Sequence, residues 1–249
     1  MKKTILTLFL LIFCVSISGA GITDKLRAVI AAKNAPAAGG IACSGSQIFG
    51  WSMESVDLTA DLTGCTGNET TTVTLSQAVI SGTQYQDGSN SLYTQWNNYY
   101  ATIPITFNGD GESGTIDVYI YLPGAGVADW SHYVVLSYGA TYVEDTDSYI
   151  AIRIDDSEYF MVTYGWSGGH LNLSNSVDQS ALSGWKRIIV KWDRGEATTL
   201  SINFDGTTTT STDTLGALAG APNTLKVLTD GGDGPAFYFD LLKIYNTWQ

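Results

Sequence analysis

The chain has 249 residues, with hydrophobic side chains at 44%, aromatics at 12% and charged residues at only 14%, enough apolar surface to exclude an intrinsically disordered chain. Its formal charge of −12 leaves no cationic surplus to release phosphate counterions or to dock on an anionic bilayer, so nucleic acid and acidic membrane surfaces are excluded as partners. Two His and three Cys leave few nitrogen or sulfur ligands for a zinc site.

Lys2 and Lys3 precede an apolar run from Ile5 to Ile17, which ends in Ser18-Gly19-Ala20. A basic start, an apolar stretch too short to span a bilayer comfortably, and small residues before the cut read as a secretory signal over residues 1–20. A lipoprotein would be cut ahead of Cys14, but Phe13 is too bulky for the small residue such a site needs. Cleavage after Ala20 predicts a secreted, periplasmic or cell-surface protein with no membrane span left. Without Lys2 and Lys3, 10 basic residues stand against 24 acidic ones, a net charge of −14.

Cys14 leaves with the signal, so Cys43 and Cys65 remain as an even pair in an oxidising compartment. A disulfide between them closes a loop of about twenty residues and stabilises by roughly 3 kcal/mol in chain-entropy terms. Two free thiols are the alternative.

Residues 21–45 read as a short helix and a linker. Thr23 or Asp24 can cap the helix, and Ile22, Leu26, Val29 and Ile30 line one stripe. A helix of about eleven residues is marginal alone in water. It needs a surface to pack on, which a protein partner meeting residues 22–34 would supply. Asn34 to Gly40, with Pro36 and Gly39-Gly40, is linker chemistry.

From Ser46 the pattern is β. Ile116, Val118, Ile120 and Leu122 alternate with Asp117, Tyr119 and Tyr121; Ile150, Ile152 and Ile154 with Ala151, Arg153 and Asp155; Leu200, Ile202 and Phe204 with Ser201, Asn203 and Asp205. Each set predicts a half-buried antiparallel strand with a polar outer face. Asn108-Gly109, Asp155-Asp156, Asp205-Gly206 and Asp230-Gly231-Gly232-Asp233-Gly234 are turn signals. The Thr207–Thr212 run is a polar strand or loop edge. Together these predict an all-β domain over residues 46–249, a two-sheet antiparallel β-sandwich.

Four segments, read in order, carry a family resemblance: Trp51-Ser52-Met53-Glu54; Asp87-Gly88-Ser89-Asn90-Ser91-Leu92; Trp185 to Asp193 followed by Leu200 to Gly206; and Phe239 to Asn246. Their order and spacing over residues 46–249 resemble the laminin-G-like members of the concanavalin A-like lectin/glucanase superfamily. The resemblance implies a jelly roll. It does not settle function, because lectins, carbohydrate-binding modules, hydrolases, lyases and adhesion modules share that fold.

Retaining glycoside hydrolases need two carboxylates about 5 Å apart, which laminarinase-type relatives place as Glu-x-Asp-x-x-Glu. None of Glu54, Glu69, Glu112, Glu144, Glu158 and Glu196 is followed by Asp two positions on. His132 and His170 lack the Gln-x-His neighbourhood of the lyases, and no Gly-x-Ser-x-Gly elbow is present. The sequence therefore favours a non-catalytic protein.

Sugar binding stacks an apolar ring on the C–H face of a pyranose while amides and carboxylates fix the hydroxyls. Alternation places Trp192 with Ile188 and Val190 on the core face. The rings near turns are the glycan candidates: Trp96, Trp130, Tyr164 and Trp166, the last set among Gly165, Gly168 and Gly169 in an expected exposed loop. Packing over the sandwich core is the alternative for each.

The resemblance also implies a structural Ca²⁺ joining the first and last strands, with Glu54, Gly88 and Asp240 as ligands. Asp240 shares parity with Leu242 and Ile244, so on a regular strand it would face the core and need partners or a metal, unless a bulge turns it outward. A hydrogen-bonded turn cap, or calcium on Asp230 and Asp233, are the alternatives. The leading expectation is an exported, lectin-like protein that binds a glycan or polysaccharide. A structural or adhesive surface subunit, and a polysaccharide-degrading enzyme with an atypical site, stand beside it.

Overall fold

The computed structural model describes residues 43–58, 61–65, 67–95, 99–107, 109–124, 132–139, 148–154, 159–178, 182–229 and 236–249. The expected signal, the helix over 22–34 and most of the linker lie outside them, as do Trp96, Trp130, Asp155, Asp230 and Asp233.

The period-2 segments form strands. In chain order these are β1 (Gln47–Trp51), β2 (Thr74–Ser76), β3 (Val79–Ser81), β4 (Ser91–Thr94), β5 (Tyr100–Pro104), β6 (Ser113–Pro123), β7 (His132–Ser137) and β8 (Tyr149–Ile154). They continue as β9 (Tyr159–Trp166), β10 (Gly169–Asp178), β11 (Ser183–Asp193), β12 (Leu200–Phe204), β13 (Thr207–Ser211), β14 (Thr224–Leu228) and β15 (Phe237–Tyr245). The first sheet has the order β13-β12-β11-β6-β15-β4-β3, with β1 also paired to β15; the second has β10-β9-β8-β7-β14-β5-β2. The strand ladders are antiparallel, and among the described residues there is no helix.

The core lies between the sheets. Ile116, Val118, Ile120 and Leu122 of β6, Ile188, Val190 and Trp192 of β11, and Leu200, Ile202 and Phe204 of β12 meet Ile150, Ile152, Phe160 and Val162 of the second sheet in one apolar cluster. Trp192 is fully buried, as alternation predicts, and its Nε1 donates to the carbonyl of Gly111 at 2.9 Å. A Cβ on Gly114 would stand 2.3 Å from that ring, so only glycine fits there.

One strand departs from the expected half-burial. Ala151 and Arg153 of β8, expected on a polar outer face, are both buried. The outer side of β8 also packs, with Ala151 clustering on Val135, Tyr149 and Leu228.

Of the turn signals, Asp205-Gly206 lies wholly within the described residues. Asp205 and Gly206 adopt φ of 48° and 93°, as the centre of a type I′ hairpin requires, and they close β12 onto the Thr-rich edge strand β13. Cys43 and Cys65 form the disulfide, with their Cα atoms 5.0 Å apart and a sequence separation of 22.

Candidate functional site

Turning the apolar residues of the first sheet inward turns its alternate positions outward. On β11 these are Trp185, Arg187, Ile189, Lys191 and Asp193; on β6, Asp117, Tyr119 and Tyr121; on β15, Tyr238; on β4, Tyr93. Strand register sets Trp185 opposite Tyr121, Tyr121 opposite Tyr238, and Tyr238 opposite Tyr93. Four rings from four adjacent strands thus stand in one row.

The ring centroids are 5.6 Å apart for Trp185 and Tyr121, 6.0 Å for Tyr121 and Tyr238, and 5.2 Å for Tyr238 and Tyr93. Tyr99 adds a fifth ring 6.2 Å beyond Tyr93. Neighbouring planes are inclined by 59° to 90°, the edge-to-face arrangement that aromatic quadrupoles prefer. All five rings are half-buried. The row continues onto β3, where Val79 pairs with Tyr93 and is 48% exposed. Burial and the nearby phenols push the Tyr93 hydroxyl above the ordinary tyrosine value, so it stays a neutral donor, and it donates to Oε1 of Gln95.

Further along the same face the chemistry becomes ionic. Arg187 donates from Nε to Oδ1 of Asp117 at 2.8 Å and from Nη2 to Oδ2 at 2.6 Å, and its guanidinium lies 5.8 Å from the Tyr119 ring centroid. Beyond this pair, a groove of about 780 Å³ is lined by Ser113, Lys191, Asp193, Glu196, Thr210 and Trp248 among others. Lys191 Nζ stands 5.9 Å from the Trp248 ring, and Ser113 Oγ donates to Asp193 at 3.0 Å.

Glu54 and Asp240, with Gly88 the calcium ligands expected from the resemblance, both reach the loop ahead of β4 that carries Gly88. A register shift between Asp240 and Lys243, with Leu241 at φ 51°, puts a bulge in β15. Asp240 therefore faces outward with Tyr238, while Leu242 and Ile244 return to the core. The loop covers it completely. Asp240 Oδ2 accepts the N–H groups of Gln86 and Asp87 at 2.8 and 3.0 Å, and Oδ1 accepts that of Leu241 at 2.8 Å. Burial pushes its carboxyl up to about 7, against the pull of these donors.

Glu54 Oε1 accepts the N–H groups of Ser89 and Asn90, and Oε2 accepts from Ser89 Oγ and Asn90 Nδ2, at 2.8 to 3.2 Å. Calcium takes six to eight oxygen ligands, whereas these carboxylate oxygens are occupied by N–H and O–H donors. The set fits a hydrogen-bonded turn cap rather than a calcium cage. Among the described residues no group of three or more His, Cys, Asp or Glu could hold a metal.

The glycan candidates named from the sequence fare differently. Trp96 and Trp130 lie outside the described residues. Tyr164 is fully buried, with its hydroxyl donating to the Gly216 carbonyl at 3.3 Å, so a ligand on the surface does not reach it. Trp166 ends β9 rather than sitting in an exposed loop, and it is half-buried over Gly216. Its flanking glycines serve packing and turning: a Cβ on Gly165 would stand 2.2 Å from the Tyr149 ring, and Gly168 takes φ +92° in the hairpin to β10. The row on the first sheet was missed because each of its rings reads singly as a polar-face residue. The available signal was aromatics at outward parity on several strands.

No protein-family model matches the chain, and no curated protein matches it. Among solved structures, the fold is similar to the binding domain of botulinum neurotoxin DC in complex with SialylT, with a TM-score of 0.60 at 11% identity, covering 82% of this chain and 48% of that one. The receptor-binding domain of botulinum neurotoxin type G is similar at a TM-score of 0.59 and 9% identity, covering 82% and 49%. The neurotoxin DC binding domain in complex with rat synaptotagmin II gives a TM-score of 0.59 at 12% identity, with the same coverage. The chain thus spans about half the length of the structures it matches, and at these identities the likeness is one of fold.

Proposed function

We propose that this chain is an exported, non-catalytic, jelly-roll protein that binds glycans on the outer face of its first sheet. The row of Trp185, Tyr121, Tyr238 and Tyr93, in register across four strands, carries the reading. Half-buried rings held by their neighbours offer apolar surface without losing much conformational freedom on binding, which is what stacking on pyranose C–H groups needs. Arg187, held by Asp117, stands one register step away as a preset hydrogen-bond donor. The similar solved structures are receptor-binding domains, which supports a binding role.

A second reading, a surface subunit gripping a protein partner, draws on exposed Val79 at the end of the row and on a similar structure solved with synaptotagmin. A glycan array run with the wild-type protein, Trp185→Ala and Tyr238→Ala separates the two. The glycan reading expects a restricted set of bound sugars that both variants lose. Binding untouched by either variant, or no sugar bound at all, overturns it.

A further inference from the structure

We infer that the ligand of the aromatic row is a neutral, extended, β-1,4-linked pyranose chain lying across the strands; this rests on the glycan-binding reading and narrows it. Linearity is the first ground. Four rings belong to successive strands of the sheet, Tyr99 stands just ahead of β5 within reach of Tyr93, and the centroid steps run from 5.2 to 6.2 Å without a gap. An extended pyranose chain can keep one sugar near each successive ring along such a line. A coiled α-1,4 chain bends away from a straight row within a few sugars.

Ring orientation is the second ground. Successive planes incline by 59° to 90°, so the row is no flat table for the face of a crystalline polymer. It offers faces and edges in turn to a single chain. A β-1,4 linkage rotates each sugar about half a turn from the last, so successive units also present themselves differently.

Charge is the third ground. The row is built of Trp and Tyr with no Asp, Glu, Lys or Arg among its rings, and Arg187 on the same face is already paired with Asp117. The chain as a whole carries −12. A polyuronate or sulfated glycan would be repelled by that field, whereas a neutral chain meets no such barrier.

The test is calorimetric titration of the protein with cello- and manno-oligosaccharides of two to six sugars, with maltohexaose, and with hexagalacturonate. At least one β-1,4 series should bind, its affinity rising with length and levelling at about five sugars, the number of rings. Maltohexaose and hexagalacturonate should bind at least about tenfold more weakly. Trp185→Ala and Tyr238→Ala should each weaken the best ligand by about tenfold, the scale of one aromatic contact. Tyr238→Phe, which keeps the ring, should hold both fold and affinity, so a misfolded alanine variant leaves the question decidable. If maltohexaose or hexagalacturonate binds as tightly as the β-linked chains and Trp185→Ala abolishes it, this inference falls while glycan binding stands. If no oligosaccharide binds, and the ring variants alter only self-association in sedimentation, both fall and a second copy of the chain is the occupant.

Discussion

A Cβ on Gly88 would stand 1.9 Å from Oε1 of Glu54, at a backbone position with φ +67°. The loop after β1 and the loop before β4 are therefore locked by a carboxylate that only glycine lets so close. Gly88→Ala adds left-handed strain and pushes the carboxylate off its four donors. Stability should fall by about 1–3 kcal/mol, the range of substitutions that break a special backbone position. Urea unfolding measures it. An unchanged midpoint would show that Glu54 swings aside at no cost.

Asp240 makes stability depend on pH. Its carboxyl titrates near 3.8 in the unfolded chain and is pushed up to about 7 by burial in the fold. Between those values the folded state holds a proton that the unfolded state has released. The contribution is therefore full below about pH 4 and is lost as pH rises through 7, with a slope of at most about 1.4 kcal/mol per pH unit. The unfolding free energy of wild type minus that of Asp240→Asn should fall across this window. Parallel profiles for the two proteins would remove Asp240 as the titrating group.

The turn-cap geometry bears on calcium. With the oxygens of Glu54 and Asp240 engaged by protein donors, any shift of melting temperature on adding EDTA should be the same in wild type and Asp240→Asn. Stabilisation by a bound ion follows mass action on the folded state. A shift present in wild type, reversed by Ca²⁺ and lost in the variant, would assign an ion to this set.

Trp166 should behave as a packing residue. Its indole covers Gly216, where a Cβ would fall 2.2 Å from Cδ1, and its centroid lies 6.1 Å from that of Tyr164. Trp166→Ala should lower stability by about 2 kcal/mol, below the roughly 3–5 kcal/mol of aromatic truncation in a core because the ring is only half-buried. Its affinity for glycan should stay unchanged. Loss of binding with full stability would return the ring to the ligand surface.

Much of the fold was legible because its signals are local. Two-residue periodicity at Ile116 to Leu122 and at Leu200 to Phe204 depends only on neighbours in the chain, and so do Asp205-Gly206, whose paired positive φ values need those residue types. Local pattern was silent on how many faces of a strand are covered. Ala151 and Arg153 are buried on the side expected to be polar, where Val135, Tyr149 and Leu228 pack with Ala151, and Val135 and Leu228 come from strands distant in sequence. The loop expected around Trp166 is a strand end and a hairpin for a related reason: the glycines beside it answer to Tyr149 and to a turn, and Tyr149 is sixteen residues from Gly165.

The sequence by itself determined that the chain is β from Ser46 onward, which side chains alternate on each strand, and that Cys43 and Cys65 are the pair available to bridge. The family resemblance, and not local pattern, brought Glu54, Gly88 and Asp240 together as expected calcium ligands. Only the tertiary structure decided what they do there, since the bulge at Leu241 and the donors of Gln86 to Asn90 make them a cap. Only it decided the row of Trp185, Tyr121, Tyr238 and Tyr93, drawn from four strands far apart in sequence. A slip of one residue in any ladder would turn that strand's ring to the opposite face. Register between distant strands is set by how the whole core packs, and no stretch of local sequence contains it.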